Sequence, residues 1–266
     1  MAEAMIAGLL ESKLTSPPGI RVCDVSEGRR QDLSKKYKVQ VSGSSNEVVE
    51  GARIVVLAVK PDDVSTALYS TSEEHLASPV LLSICAGVSI TQLENILKRL
   101  RVKGSKVVRA MPNTPCLAGA GAIGYCCNSN CQREDKNLVQ KILSSFGIAI
   151  PLKEQKLTAV TGLSGSGPAY VYTFIEALAD GGVLKGLPRD VARKLAAQTV
   201  FGAAKVVLDN PDVHTAELRN RVESPGGTTI AGTMALEVRG FRAAAMAAVA
   251  ASADRSDEME NANTQG

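Results

Sequence analysis

Apolar residues in the first half of the chain cluster in short, β-branched runs separated by charged stretches. The runs fall at 20–23, 54–59, 80–85, 107–110, 122–126 and 148–151. They are nearly continuous rather than alternating, which predicts strands covered on both faces. Residues 29–36, 90–101 and 133–146 between them carry helix-compatible patterns. In the second of these, Leu93, Ile96, Leu97 and Leu100 share one helical face. Residues 1–9 also read as a helix. Strand–helix alternation of this kind predicts an α/β fold with a parallel, Rossmann-like sheet between helices.

After Gly162 the pattern becomes helical throughout, over 168–181, 188–208, 215–222 and 241–256. Pro168 and Pro188 stand where first-turn prolines belong. Alanines recur in pairs and triplets, as at Ala196-Ala197, Ala203-Ala204 and Ala243-Ala244-Ala245, and small residues let helix axes approach closely. The expected organisation is a sheet domain over 1–155, an all-α domain over 156–256 and a polar, disordered tail over 257–266. The helical domain is expected to complete its core against a second copy, with a self-contained bundle as the alternative.

Composition narrows the function. The chain has 266 residues, 45% of them hydrophobic, enough for two domains. Its net charge of +3 is interspersed, aromatics make up 3% and Trp is absent, so neither a basic stripe nor a base-stacking surface is present. No run of eighteen apolar residues offers a membrane span. The six cysteines, Cys23, Cys85, Cys116, Cys126, Cys127 and Cys131, lack paired metal-ligand spacing and read as free thiols of a reducing compartment. With only His75 and His214, no hydrolase or metal constellation is supported.

Three segments carry candidate chemistry. Ser224-Pro225-Gly226-Gly227-Thr228-Thr229 combines two glycines, a proline and three hydroxyls in one turn. Such a turn directs several N–H groups to one point, which suits a carboxylate; taken alone it is also an ordinary connection between helices. Gly162-Leu163-Ser164-Gly165-Ser166-Gly167-Pro168 precedes a helix, and Met111-Pro112-Asn113-Thr114-Pro115 follows a strand. Together these three segments resemble the pyrroline-5-carboxylate reductase family, from Met1 to about residue 255.

The resemblance implies reduction of 1-pyrroline-5-carboxylate to L-proline with NAD(P)H, the last step of proline biosynthesis. It also implies an amino-terminal dinucleotide-binding domain and a carboxy-terminal dimerisation domain, with dimers in some members assembled into decamers. Ala58, Val59, Lys60 and Pro61, after a buried strand, become contacts to the nicotinamide half of the cofactor; Ile84, Cys85 and Ala86, after the next strand, become further contacts. Ser45 stands where the family places a cofactor-binding Asn, beside Asn46. Asn113, held between two prolines, either faces nicotinamide or substrate with its amide or serves as a rigid turn. Asp24 favours the ribose diol of NAD, whereas Ser26, Arg29 and Arg30 favour the extra phosphate of NADP; the two arginines make NADP the expected cofactor and NAD the alternative.

On the substrate side, the turn is expected to seat the carboxylate through Ser224 and the N–H groups of Gly227 and Thr228. By resemblance, Thr229 hydrogen-bonds the ring nitrogen and is the catalytic candidate. Glu154 matches an acidic substrate-side residue, and Arg221 stands where the family often has Asn. Beta-hydroxyacid dehydrogenases share the plan and a Gly-x-x-Gly-x-Gly segment, met here by Gly162, Gly165 and Gly167. Their catalytic Lys and Asn positions hold Val171 and Ile175, which cannot move a proton.

The family's first strand and Gly-x-Gly-x-x turn would stand before Met1. The 266-residue product is therefore expected to be unstable or inactive beside a version extended upstream. A non-catalytic homo-oligomeric relative is the second reading. The expected compartment is the cytoplasm, with an organelle as the alternative if a leader precedes Met1.

Overall fold

The computed structural model describes residues 1–265, with side chains up to residue 262. Its elements are α1 (Ala2–Glu11), β1 (Arg21–Cys23), α2 (Glu27–Tyr37), β2 (Gln40–Ser42), α3 (Ser45–Val49), β3 (Ile54–Leu57), α4 (Val64–Tyr69), α5 (Glu73–Leu76), β4 (Val80–Ser83), α6 (Ile90–Arg99) and β5 (Lys106–Met111). There follow β6 (Gly121–Cys127), α7 (Arg133–Ser144), β7 (Gly147–Pro151), α8 (Leu157–Val160), α9 (Gly167–Leu184), α10 (Arg189–Asp209), α11 (Thr215–Asn220), α12 (Thr228–Val238) and α13 (Phe241–Gln265). Two compact units result. The first comprises Met1–Ser166 together with the chain from Ala251 on; the second is Gly167–Ala250.

In the first unit the strands run β3-β4-β5-β6-β7 in one sheet, and β1-β2 form a separate parallel pair. Alternate side chains of β4 and β5 enter opposite cores. Leu81 and Val107 join Leu93 and Leu97 of α6, while Val80, Leu82 and Val108 join Ala4 and Met5 of α1 and Val139 and Leu143 of α7. Both faces are thus covered, which explains the continuous apolar runs. The expected helical face of α6 is realised, and Ser89 and Gln92 close a capping box at its start.

Several features depart from the sequence reading. The sheet is not wholly parallel: β6 runs antiparallel to β5. The short link between them, a 3-10 turn at Thr114–Ala118, holds no crossover helix and so reverses the chain. The boundary lies at Ser166 rather than 155, because Leu157 is buried with Val107 and Cys126 in the sheet core. The segment 257–265 is the end of α13 rather than a disordered tail, and Gly266 lies outside the described residues. Finally, β2 was too short to show a pattern.

The helical unit is built on α9 and α10. Its buried residues are small: Ala179, Ala192 and Ala196, with Ile175 and Val183 packed against them. A Cβ added to Gly182 would lie 3.2 Å from that of Ala192, so the missing side chain permits the close approach expected from composition. Many large apolar side chains stay outside, including Leu195 at 54% exposure, Phe201 at 62% and Met234 at 62%. That leaves this unit with far more apolar surface than its own core absorbs.

Candidate active site

Strands β3, β4 and β5 are parallel and in register, Leu57 opposite Ser83 and Ser83 opposite Arg109. Their carboxyl ends therefore share one edge, where open α/β sheets bind ligands. Ala58, Val59 and Lys60 emerge exposed from β3 and Pro61 is half-buried. After β4, Ile84 is half-buried, Cys85 buried and Ala86 exposed. The Cys85 thiol donates to the Val59 carbonyl at 3.3 Å and the Leu57 carbonyl at 3.4 Å. Burial pushes that thiol's pKa up, against the opposing hydrogen bonds of Ser83 and the Val59 backbone. Cys85 is accordingly a protonated donor that fastens the two expected nicotinamide segments together, with small exposed side chains beside it.

At the end of β1, the Ser26 hydroxyl caps α2 by accepting the Arg29 N–H at 3.3 Å, and the Ser26 N–H donates to Asp24 Oδ1 at 2.9 Å. Arg30 Nη1 donates to the Asp24 carbonyl at 2.6 Å and so stands beside this turn. Arg29 does not share that place: its guanidinium is 2.5 Å from the Glu3 carboxylate. Lys36, Arg29 and Tyr37 all bond Glu3 and lower its pKa to about 2. Of the two arginines expected near the phosphate, Arg30 stands at this turn and Arg29 is engaged with Glu3.

Three further candidates are engaged in holding the fold. Ser45 donates its hydroxyl to the Ser70 carbonyl at 2.7 Å, and Asn46 Oδ1 accepts the Ser72 N–H at 2.8 Å, so both tie α3 to the following turn. The Asn113 side chain is buried, with Nδ2 donating to the Ser164 carbonyl at 3.0 Å and Oδ1 accepting the Ala122 N–H at 3.0 Å. Both ends of its amide are thus engaged within the fold, as a rigid turn requires. Ser164 lies in a π-helical turn at Thr161–Gly165, where a Cβ on Gly165 would stand 3.0 Å from the Met111 side chain. Glu154 Oε1 accepts the Ile90 N–H at 2.7 Å and Nη1 of Arg109 at 3.2 Å. It is a partner of Arg109 rather than an open acid.

In the helical unit, Gly226 adopts φ +67°, a conformation natural only to glycine, and the Gly227 N–H closes the turn on the Ser224 carbonyl at 3.0 Å. Gly227 is the N-cap, so Thr228 and Thr229 open α12 instead of belonging to the turn. No side chain caps this helix. Its first N–H groups, with the positive end of the helix dipole, point out beside the Ser224 hydroxyl. Thr229 is half-buried at this end. Arg221 is exposed and paired with Glu217 Oε1 at 2.6 Å, one turn back on α11.

Arg109 escaped the sequence reading. A lone charge inside the apolar run 107–110 was the available signal, since a strand buried on both faces holds an arginine only if carboxylates meet it.

Comparison with known proteins agrees with this layout. Residues 154–259 match the family model described as pyrroline-5-carboxylate reductase dimerisation, and residues 1–87 match one described as NADP oxidoreductase coenzyme F420-dependent. A pyrroline-5-carboxylate reductase of Synechocystis sp. is 41% identical over 97% of this chain and 94% of its own length. The chain belongs to the pyrroline-5-carboxylate reductase family. The reductase of Methanosarcina acetivorans is 40% identical over the same shares of both chains. The crystal structure of the Plasmodium falciparum reductase, solved with NADP bound, superposes with a TM-score of 0.84 at 34% identity, covering 97% of this chain and 94% of that one. These relatives are all named as reductases, and none favours a non-catalytic reading.

Proposed function

We propose that this chain reduces 1-pyrroline-5-carboxylate to L-proline with NADPH, NADH being the alternative donor. Membership of the family supports the reaction, and the NADP-bound relative supports the cofactor. NADPH supplies the hydride when bound. The residues fit such a group: small exposed side chains at Ala58 and Ala86, a thiol-fixed edge at Cys85, and Ser26 with Arg30 at the turn after β1.

The observation that carries the substrate assignment is the uncapped start of α12 beneath Ser224. The N–H groups of Thr228 and Thr229 and the Ser224 hydroxyl hold the carboxylate. This orients the ring imine, whose carbon must meet the hydride donor. The Thr229 hydroxyl hydrogen-bonds the ring nitrogen and steadies its proton as imine becomes amine. Glu154 contributes through Arg109 and Ile90 rather than by touching substrate.

A homodimer is part of the proposal, supported by the dimerisation match and the exposed Leu195, Phe201 and Met234; sizing reads any larger assembly, such as a decamer. A cytoplasmic location is supported by six free cysteines.

The test is substrate-dependent oxidation of NADPH with proline as product. Proline formation supports the reading. NADPH binding without substrate-dependent oxidation overturns it.

A further inference from the structure

The last turns of α13 carry Ser252, Ser256 and Glu260 at four-residue spacing, hence on one face of the helix. Ser252 shares a 2.8 Å hydrogen bond with Ser166, at the end of the π-helical turn, and Ser256 is buried. Glu260 takes both arms of a guanidinium: Arg109 Nη1 donates to Oε1 at 3.0 Å and Nη2 to Oε2 at 2.8 Å. Arg109 lies inside β5 with only 6% of its side chain exposed. Its Nη1 also reaches Glu154, whose Oε1 accepts the N–H of Ile90. Ile90 is the first residue of α6, immediately after the segment that contains Ile84, Cys85 and Ala86. An unbroken polar chain, Glu260 to Arg109 to Glu154 to Ile90, thus joins the carboxyl-terminal helix to the base of the cofactor-side segment.

We propose that Glu260 and Arg109 are positioning residues for cofactor binding, acting by holding Glu154 on the Ile90 N–H and thereby fixing the segment 84–89. The inference rests on the NADPH-dependent reading above. Its physical basis is donor satisfaction. A buried guanidinium stays charged and requires acceptors for its fork, and an arm left without one is costly. Burial lowers the Arg109 pKa, but the bonds to Glu260 and Glu154 more than reverse that, and the group is held charged. Without the Glu260 carboxylate the guanidinium has one anion left, Glu154. That carboxylate must then turn toward both arms and leave the Ile90 N–H. The start of α6 loosens, and the preceding segment loosens with it. Neither Glu260 nor Arg109 is proposed to touch a reacting atom, so the effect belongs in cofactor affinity rather than in turnover.

The experiment uses the full chain and four forms: unsubstituted, Glu260→Gln, Glu154→Gln and the double variant, with Glu260→Asp as the conservative control. NADPH affinity is measured by calorimetric titration, KM and kcat by NADPH oxidation, and stability by thermal melting. Glu260→Gln is expected to raise the dissociation constant and KM for NADPH roughly fivefold to tenfold while kcat stays within about twofold. Glu260→Asp restores part of the affinity. The double variant falls short of the product of the two single effects, because both act on one network. Unchanged NADPH affinity in Glu260→Gln overturns the proposal, whether or not the melting temperature falls. Independent, multiplying effects overturn it as well. If the unsubstituted chain binds NADPH but does not reduce the imine, the proposed function fails and the titration still decides this inference. If it binds no NADPH, this inference fails.

Discussion

The Ser224 side chain fills the space that a Cβ on Gly227 would need. The absence of a side chain at 227 is what lets the Ser224 hydroxyl sit against the N-cap of α12, so glycine there serves the proposed seat as well as the turn.

Gly227→Ala is therefore expected to push Ser224 aside and raise KM for 1-pyrroline-5-carboxylate about tenfold or more, as the loss of a charge-assisted hydrogen bond would. NADPH affinity should not change, because none of the proposed cofactor-side residues belongs to this turn. Steady-state kinetics with each substrate varied separates the two, and an unchanged KM for the imine removes the carboxylate assignment.

Thr229→Val keeps the shape of the side chain and deletes its hydroxyl. Turnover is expected to drop about tenfold to a hundredfold, within the range of a positioned proton-handling group, with little change in proline affinity. Normal turnover at normal affinity would rule out the role.

Cys85→Ala removes the thiol that bridges the ends of β3 and β4. The chain should lose about 1–2 kcal/mol of stability from the small cavity and the lost contacts, read by urea unfolding. NADPH should bind severalfold more weakly. Full NADPH affinity in this variant would separate the thiol from the cofactor edge.

Acid stability should respond to Glu3. Its pKa of about 2 in the folded chain lies below the 4.5 expected of an unperturbed glutamate, because Lys36, Arg29 and Tyr37 bond the ionised form. A lowered carboxylate stabilises the fold fully above the higher value and loses that contribution as pH falls toward the lower. Melting temperatures of the unsubstituted chain should thus fall more steeply than those of Glu3→Gln between about pH 4.5 and 2. High salt should narrow the difference, since the cluster lies at the surface. Parallel curves would show that Glu3 is not a stabilising anion.

Periodicity made the sheet edges and most helices legible because each burial pattern there is local. The face of α6 with Leu93 and Leu97 could be read from spacing alone, and the small-residue contact of α9 with α10 from composition. The direction of β6 could not, since it depends on a link without a helix. The fates of Asn113 and Glu154 were equally hidden. Their partners, Ser164 and Arg109, lie 51 and 45 residues away in sequence, and no spacing rule connects them. Polarity marked residues 257–266 as a tail, yet Glu260 is polar because it meets the Arg109 guanidinium. Thr229 was found through resemblance, and the structure adds that it stands in the first turn of a helix.

The most direct measurement is a titration of the isotopically labelled full chain with L-proline, following backbone amide resonances. Saturable shifts concentrated at Gly227, Thr228 and Thr229 are predicted, weakened in Gly227→Ala. Saturable shifts elsewhere with these three unmoved would contradict the assignment of the substrate carboxylate to the start of α12.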